Sequence, residues 1–323
     1  MNKKESDQSV SISRRQFLKG SLAIGAVSAL SFSFPKLSFS TPQQGLKRLF
    51  SIDGFIDPYG IAVNKDGLVY VTDAGGYGIK VFDQAARLVQ TIGKAGSSDD
   101  SLNYPQGINF DADGDLYVVD SNNGRIAIFS SDGKLKNSIG EVGGYPEAFY
   151  TPKGIFVSDK IYACNTRNHR LSVFDKNTHQ LIGSYGDLGD DPKDLSQGTL
   201  AYHFRLPTDV VVADDGKIYV VDSKHSQVKI LASNGEFLFS FGENGSGEGQ
   251  FNLPEGITLD RQKNVYVCDA MNGRIQKFDS QGNFLSALNE GLKRPVSICM
   301  DNEDKFYVVD AEQKQVIKFE WTA

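Results

Sequence analysis

A sixfold internal repeat is the feature that most constrains the fold of this 323-residue chain. Each unit opens at a proline, and successive units are 47, 47, 55, 47 and 41 residues apart. A period of about 40–50 residues that holds several short strands is typical of a β-propeller, in which each unit forms one blade. The six opening prolines are Pro58, Pro105, Pro152, Pro207, Pro254 and Pro295.

Each unit contains three clear strand patterns and a weaker fourth. In the first unit these are residues 59–63, 68–73, 79–83 and 88–92, which are rich in β-branched and aromatic residues. Dipeptides such as Asp66-Gly67 and Asn234-Gly235 lie between the patterns. They predict two-residue hairpins, in which both turn residues have positive φ. The sequence therefore predicts an all-β, six-bladed β-propeller with four antiparallel strands per blade.

The two ends of the repeat array predict how the ring closes. The last unit ends near residue 319, after its third strand pattern, and residues 46–52 resemble a fourth strand that no unit precedes. We expect this N-terminal strand to complete the last blade, which removes the free edges at which other chains could pair. A tyrosine recurs in every second strand and predicts a packing role repeated by the fold. The six are Tyr70, Tyr117, Tyr162, Tyr219, Tyr266 and Tyr307.

The N-terminus has the order of residues found in export signals. Residues 13–19 read SRRQFLK, the twin-arginine pattern, and an apolar run at residues 22–34 precedes a small-x-small site at residues 38–40. We predict a twin-arginine signal peptide over residues 1–40, a propeller over residues 41–323, and a periplasmic or secreted protein that is exported folded. A signal that stays uncleaved is the alternative, and it supplies the one membrane contact that we expect.

The charge of the chain argues against nucleic acid as a partner. The formal net charge is −6, and the first 40 residues hold six of the 34 Lys and Arg but two of the 40 Asp and Glu. The remaining 28 basic and 38 acidic residues form an acidic body without a basic stripe. We therefore expect a protein or small-molecule ligand as the partner of a monomeric propeller.

Candidate site residues lie on one face of the predicted ring. Strand order brings the loops between second and third strands, and the connections between blades, to the same side, which we call the connector face. Three units carry an Asx-x-x-Asn-x-Arg signature there, and the fourth unit has Asp222 with His225 instead. The signature residues are Asp120, Asn123 and Arg125; Asn165, Asn168 and Arg170; and Asp269, Asn272 and Arg274.

Two interpretations of this signature stay open. The Asp and Asn side chains can cap turn amides while the arginines pair with carboxylates, which is a structural role. Alternatively, Arg125, Arg170 and Arg274 form a cationic rim for an anionic ligand or partner.

Metal ions are the possible cofactors. His169, His203 and His225 fall in one sector of the connector face, and three imidazoles with an open position suit catalytic zinc. Surface histidines without metal are the alternative, because no HxH or HxxxH spacing is present. The connection between the third and fourth units is either a solvated loop or a calcium-binding lip. Its acidic residues are Asp187, Asp190, Asp191 and Asp194.

The fifth unit resembles an NHL repeat most fully, through GEGQFNLPEGI at residues 247–257 and DAMNGRI at residues 269–275. The resemblance extends over about residues 46–319 and implies a six-bladed propeller that presents one face to proteins or ligands. Similar propellers include peptidyl-hydroxyglycine amidating lyases, which use zinc, and lactonases, which use calcium.

The resemblance leaves two functions open. The first is an exported protein- or ligand-binding, scaffolding module without catalytic activity. The second is a metal-assisted lyase or hydrolase. In that enzyme His169, His203 and His225 would hold the metal, and Arg170 or Arg125 would hold a substrate carboxylate.

Overall fold

The computed structural model describes residues 46–186 and 203–321 of the chain. These residues form six four-stranded antiparallel sheets, which confirms the predicted six-bladed β-propeller. Within the two described ranges, no helix has both the length and the apolar character needed to cross a membrane. The predicted signal peptide and the acidic residues at 187, 190, 191 and 194 lie outside the described residues.

Each blade is one sheet, and its first strand lies innermost. Blade 1 holds β2 (Pro58–Val63), β3 (Val69–Asp73), β4 (Gly78–Phe82) and β5 (Leu88–Ile92). Blade 2 holds β6 (Pro105–Phe110), β7 (Leu116–Asp120), β8 (Arg125–Phe129) and β9 (Leu135–Ile139). Blade 3 holds β10 (Ile155–Val157), β11 (Lys160–Asn165), β12 (Arg170–Asp175) and β13 (Leu181–Tyr185).

The other three blades repeat this order. Blade 4 holds β14 (Pro207–Val212), β15 (Ile218–Asp222), β16 (Gln227–Leu231) and β17 (Phe237–Phe241). A short parallel pair follows, β18 (Glu243–Asn244) and β19 (Gln250–Phe251). Blade 5 holds β20 (Pro254–Leu259), β21 (Val265–Asp269), β22 (Arg274–Phe278) and β23 (Phe284–Leu288). Blade 6 holds β24 (Pro295–Met300), β25 (Phe306–Asp310), β26 (Gln315–Trp321) and β1 (Leu46–Ile52).

Single 3₁₀ turns follow the second strand in five blades. They span Ala74–Gly76, Ser121–Asn123, Thr166–Asn168, Ser223–His225 and Ala270–Asn272. Each second strand ends where the first strand of its blade begins, as the pairing of Pro58 with Asp73 shows. The 3₁₀ turns and the connections between blades therefore lie on one face, as the strand order predicts.

The N-terminal strand closes the ring. β1 pairs antiparallel with β26, so the order in blade 6 is β1-β26-β25-β24. Ile52 lies opposite Val316 in this pairing, and both side chains are buried in the same hydrophobic cluster. The prediction that residues 46–52 complete the last blade is confirmed.

The hairpin turns differ from the prediction. Gly67 and Gly235 have φ values of 78° and 87°, but Asp66 and Asn234 are not among the residues with positive φ. In the first of these turns the side chain of Asn64 accepts hydrogen bonds from the N–H groups of Asp66 and Leu68, at 3.0 and 2.9 Å. The polar residue that opens the turn thus fixes it, and only the glycine needs a left-handed conformation.

The core consists of layers between neighbouring blades. Each buried tyrosine of a second strand belongs to a cluster that includes the next blade, and Tyr307 of blade 6 packs against blade 1. Tyr70 contacts Phe110 edge to face, with ring centroids 4.9 Å apart. The predicted packing role of the six tyrosines is confirmed, because their exposed fractions are between 1 and 4%.

Glycines let the innermost strands approach one another closely. A Cβ atom on Gly107 would lie 2.3 Å from the carbonyl oxygen of Lys153 in the next blade, and one on Gly60 would lie 2.3 Å from that of Gln106. Because real Cβ atoms do not approach so closely, a side chain at either position would push two blades apart. The ring is therefore narrow at its centre, where a channel passes between the six innermost strands.

Candidate binding face and channel mouth

The signature residues of blade 2 hold the connection between blades in place. The buried carboxylate of Asp120 accepts hydrogen bonds from the N–H of Asn103 at 2.7 Å and from Asn123 Nδ2 at 2.8 Å. It also accepts Arg125 Nε at 2.8 Å, and Arg125 Nη2 donates to the carbonyl of Ser101 at 2.8 Å. One carboxylate and one guanidinium thus satisfy the backbone of a segment that has no regular structure.

Blade 5 repeats this arrangement. Asp269 accepts the N–H of Asn252 at 2.7 Å, Asn272 Nδ2 at 2.9 Å and Arg274 Nε at 2.7 Å. The exposed fractions of the Arg125 and Arg274 side chains are 10% and 13%. This geometry agrees with the structural interpretation of the signature, and contact between these arginines and a ligand stays a prediction.

Blade 3 uses an amide in place of the carboxylate. Asn165 Oδ1 accepts the N–H of Tyr150 at 3.0 Å, and Asn165 Nδ2 donates to the carbonyl of Ala148 at 2.7 Å. Asn168 Nδ2 donates to the carbonyl of Gly143 at 2.8 Å, and Arg170 Nη2 donates to that of Gly144 at 2.6 Å. All three side chains fix the segment of residues 143–150.

The structure does not gather the three candidate histidines into a metal site. His225 Nδ1 lies 2.7 Å from Asp222 Oδ2, which also pairs with Lys229 Nζ at 2.8 Å. His169 Nδ1 accepts the N–H of Leu206 at 3.2 Å. Among the described residues, no three His, Cys, Asp or Glu side chains are placed to hold a metal ion. The residues present therefore do not fit a three-histidine zinc centre.

The sequence interpretation missed a ring of side chains at the mouth of the central channel. They occupy the position after the opening proline of each blade, on the connector face, and they differ in every blade. The ring consists of Tyr59, Gln106, Lys153, Thr208, Glu255 and Val296. The sequence signal that could have revealed the ring is a position whose residue type differs in every unit although it directly follows the repeated proline. We call these six residues the channel-mouth ring.

Three members of the ring meet across the channel. Glu255 Oε2 accepts hydrogen bonds from the Tyr59 hydroxyl at 2.5 Å and from Lys153 Nζ at 3.1 Å. Lys153 Nζ also lies 5.1 Å from the centroid of the Tyr59 ring. The three residues belong to blades 1, 3 and 5, and of the intervening blades 2, 4 and 6 the last two carry the smaller Thr208 and Val296. Burial and the Glu255 carboxylate raise the pKa of the Tyr59 hydroxyl well above its usual value.

A second polar contact lies beside this triad. The Tyr104 hydroxyl donates to Asp57 Oδ2 at 2.8 Å, and burial together with that carboxylate raises the pKa of Tyr104 to about 12. The positive charge of Arg294 acts in the opposite direction on the pKa of both Tyr59 and Tyr104. Arg294, Asp57 and Tyr104 each precede the opening proline of a blade, so they form the rim of the mouth.

A cavity of about 100 Å³ lies in the channel and is lined by all six innermost strands. Asp209 lines it at a position where four other blades have glycine, including Gly60 and Gly107. Its carboxylate accepts the N–H of Val210 at 2.9 Å and, in blade 5, the N–H of Ile257 at 3.0 Å. Asp209 is partly exposed to the channel, and burial among the innermost strands raises its pKa to about 7.

We expect Asp209 to make stability fall with rising pH. Between about pH 4, the pKa of an unperturbed aspartate, and about pH 7, folded Asp209 keeps a proton that the unfolded chain has lost. Stability decreases with pH wherever the folded state binds more protons. The melting temperature of the wild type, relative to Asp209→Asn, should therefore drop across this window. Parallel curves for the two proteins would show that Asp209 titrates normally.

Three family comparisons match parts of the chain. A family described as 6-bladed beta-propeller matches residues 203–321, and the NHL repeat matches residues 102–129. The TAT (twin-arginine translocation) pathway signal sequence matches residues 11–31. These matches confirm the NHL-type propeller and the export signal, so the protein is exported across a membrane. No curated protein sequence matches the chain.

Solved structures with a similar fold include enzymes and a protein of unknown function. A gluconolactonase from Xanthomonas campestris is 15% identical with a TM-score of 0.65, over 86% of this chain and 89% of that one. The virginiamycin B lyase from Staphylococcus aureus, with quinupristin, is 13% identical with a TM-score of 0.59, over 86% and 87%. A Bacteroides thetaiotaomicron protein of unknown function is 17% identical with a TM-score of 0.63, over 86% and 72%. At these identities the likeness concerns the fold alone.

Proposed function

We propose that this exported propeller works in the periplasm as a binding module that holds a partner protein on its connector face. The observation that carries the proposal is the distribution of exposed apolar side chains. Among the described residues, none of the large exposed apolar side chains lies in a turn of the opposite face. Those on the connector face are Ile56, Tyr77, Val142, Tyr145, Tyr150 and Met271, and those on outermost strands are Leu88, Val89, Ile182, Leu238 and Leu285.

The connection between blades 2 and 3 concentrates this surface. Val142, Tyr145 and Tyr150 are 59, 47 and 46% exposed, and the guanidinium of Arg167 lies 5.7 Å from the centroid of the Tyr150 ring. We call these four residues the connector patch. Tyrosine and arginine are enriched where binding energy concentrates in protein interfaces. The guanidinium favours a partner that brings acidic side chains next to apolar ones.

The blade 3 signature holds this patch ready for binding. Asn165, Asn168 and Arg170 fix the backbone at Tyr150, Gly143 and Gly144 through the hydrogen bonds described above. A segment that is already ordered loses little conformational entropy when a partner binds. The signature and the patch thus support one role, in which the structural residues present the binding residues.

We expect Tyr150→Ser to reduce partner capture about tenfold, the loss typical of one well-packed interface aromatic. The measurement compares tagged wild type and variant, both exported through the native signal, by quantitative cross-linking in the envelope fraction. Leu238→Ser on β17 is the matched control, because Leu238 is similarly exposed, at 42%, but lies on an outermost strand. Equal loss in both variants, or no loss in Tyr150→Ser, would contradict the proposal.

A further inference from the structure

The mouth of the channel has polar groups whose bonding capacity the protein itself does not use. Among the described residues, Glu255 receives both of its hydrogen bonds on Oε2, so its Oε1 atom has no donor. Gln106, at the equivalent position of blade 2, is 6% exposed, and its Oε1 atom has no hydrogen-bond partner in the described structure. A buried amide oxygen without a donor costs free energy, which a ligand or water would recover.

The donors at the mouth are also incompletely used. Within the described part of the chain, the guanidinium of Arg294 makes no hydrogen bond or ion pair. Lys153 Nζ has one hydrogen bond, to Glu255, although an ammonium group can donate three. The mouth therefore offers free donors and free acceptors within one small area.

Below about pH 7, where Asp209 in the channel keeps its proton, the charges of the mouth balance one another. Lys153 and Arg294 bring two positive charges, and Glu255 and Asp57 bring two negative charges. A ligand carboxylate attracted by Arg294 would also meet Glu255 and Asp57, and a ligand ammonium would meet the two cations. Such a site selects by hydrogen bonding, because neither sign of charge gains a net attraction.

Two aromatic rings lie in the same area with fixed orientation. Carboxylates hold the hydroxyls of Tyr59 and Tyr104, at 2.5 and 2.8 Å, so neither ring turns freely. The apolar C–H face of a sugar ring stacks on such aromatic faces, while its hydroxyls both donate and accept. The cavity of about 100 Å³ in the channel is smaller than the about 300–1,000 Å³ of an ordinary small-molecule pocket. We therefore place the sugar ring in the mouth.

We propose that the channel mouth binds the terminal unit of a neutral saccharide. Glu255 Oε1 and Gln106 Oε1 accept hydrogen bonds from sugar hydroxyls, Lys153 and Arg294 donate to sugar oxygens, and Tyr104 provides the stacking surface. This site shares no residue with the connector patch, so different substitutions test the two proposals.

Ligand-observed NMR and calorimetry with the full mature chain test the proposal. The neutral probes are glucose, galactose, mannose and N-acetylglucosamine, and the charged probes are glucuronate and protonated glucosamine. We expect at least one neutral sugar to bind about tenfold more tightly than either charged sugar, since like charges at close range are costly. Absence of binding by all four neutral sugars at millimolar concentration, or preference for a charged one, would overturn it.

Two charge variants sharpen this test. Glu255→Gln leaves the mouth with an excess positive charge and should shift preference toward glucuronate. Lys153→Gln leaves an excess negative charge and should shift preference toward glucosamine. Opposite shifts of the two variants, with unchanged melting profiles as the check on folding, support the site. If neither variant changes the relative affinities for the neutral and charged sugars, the sugar binds elsewhere, and the proposed site at the channel mouth is refuted. Tyr150→Ser is expected to bind the same sugars as the wild type.

Discussion

A mature chain that begins at residue 53, without β1, is expected to lose the stable closed ring. β26 would become an exposed edge, since its pairing with Leu46–Ile52 supplies the last strand of blade 6. The buried Ile52 would also be missing from the cluster that joins blades 6 and 1. Loss of one such side chain alone costs about 2–5 kcal/mol, against a total stability of about 5–15 kcal/mol for a domain. We expect largely unfolded or aggregated protein, measured by thermal unfolding and size-exclusion chromatography.

Two single substitutions in β1 test whether the loss of ring closure causes the expected unfolding. Ile52→Ala keeps the strand and should lower the free energy of unfolding by about 2–5 kcal/mol. Lys47→Ala is the control, because Lys47 forms an exposed ion pair with Glu320 at 3.1 Å, of a kind worth less than about 1 kcal/mol. A truncated chain that unfolds as a monomer at the wild-type temperature would show that blade 6 is stable with three strands.

The repeat explains why so much of the fold could be predicted. A residue that recurs in six units reports on a local environment that also recurs, so the strands and tyrosines could be placed without knowing which blades touch. Ring closure could be predicted because the last unit lacks a fourth strand pattern, while residues 46–52 resemble a fourth strand that belongs to no unit. The turn type was wrong because the dipeptide Asp66-Gly67 does not show that Asn64 caps the turn from two residues earlier.

The channel-mouth ring escaped prediction because it depends on the assembled ring. Lys153 and Glu255 are 102 positions apart in the sequence, and Tyr59 and Glu255 are 196 apart. No local spacing reports that such side chains meet on the axis. The candidate histidines show the converse. The sequence places His169, His203 and His225 in one sector of the connector face, but among the described residues no three side chains are arranged to hold a metal ion.

Asp269→Ala is expected to destabilise the connector face strongly. Removal of the carboxylate leaves Arg274, 13% exposed, without its counter-charge and the N–H of Asn252 without an acceptor. Breaking a buried pair from one side costs about 3–5 kcal/mol. We expect a loss of this size in the free energy of unfolding, measured by urea denaturation.

Asp269→Asn separates the charge from the hydrogen bond. Blade 3 has Asn165 at the equivalent position, where its Oδ1 accepts the N–H of Tyr150 at 3.0 Å. An amide can therefore hold the connection, so Asp269→Asn should retain the acceptor for Asn252 and cost less than Asp269→Ala. Asp132→Ala, in an exposed pair with Lys134, is the control, and its expected loss is much smaller because exposed ion pairs contribute little to stability. If Asp269→Asn lowers the free energy of unfolding as much as Asp269→Ala does, the ion pair with Arg274 holds the connection between blades 4 and 5. If neither exceeds the control, the segment is held by its other contacts, and the capping interpretation of the signature is wrong.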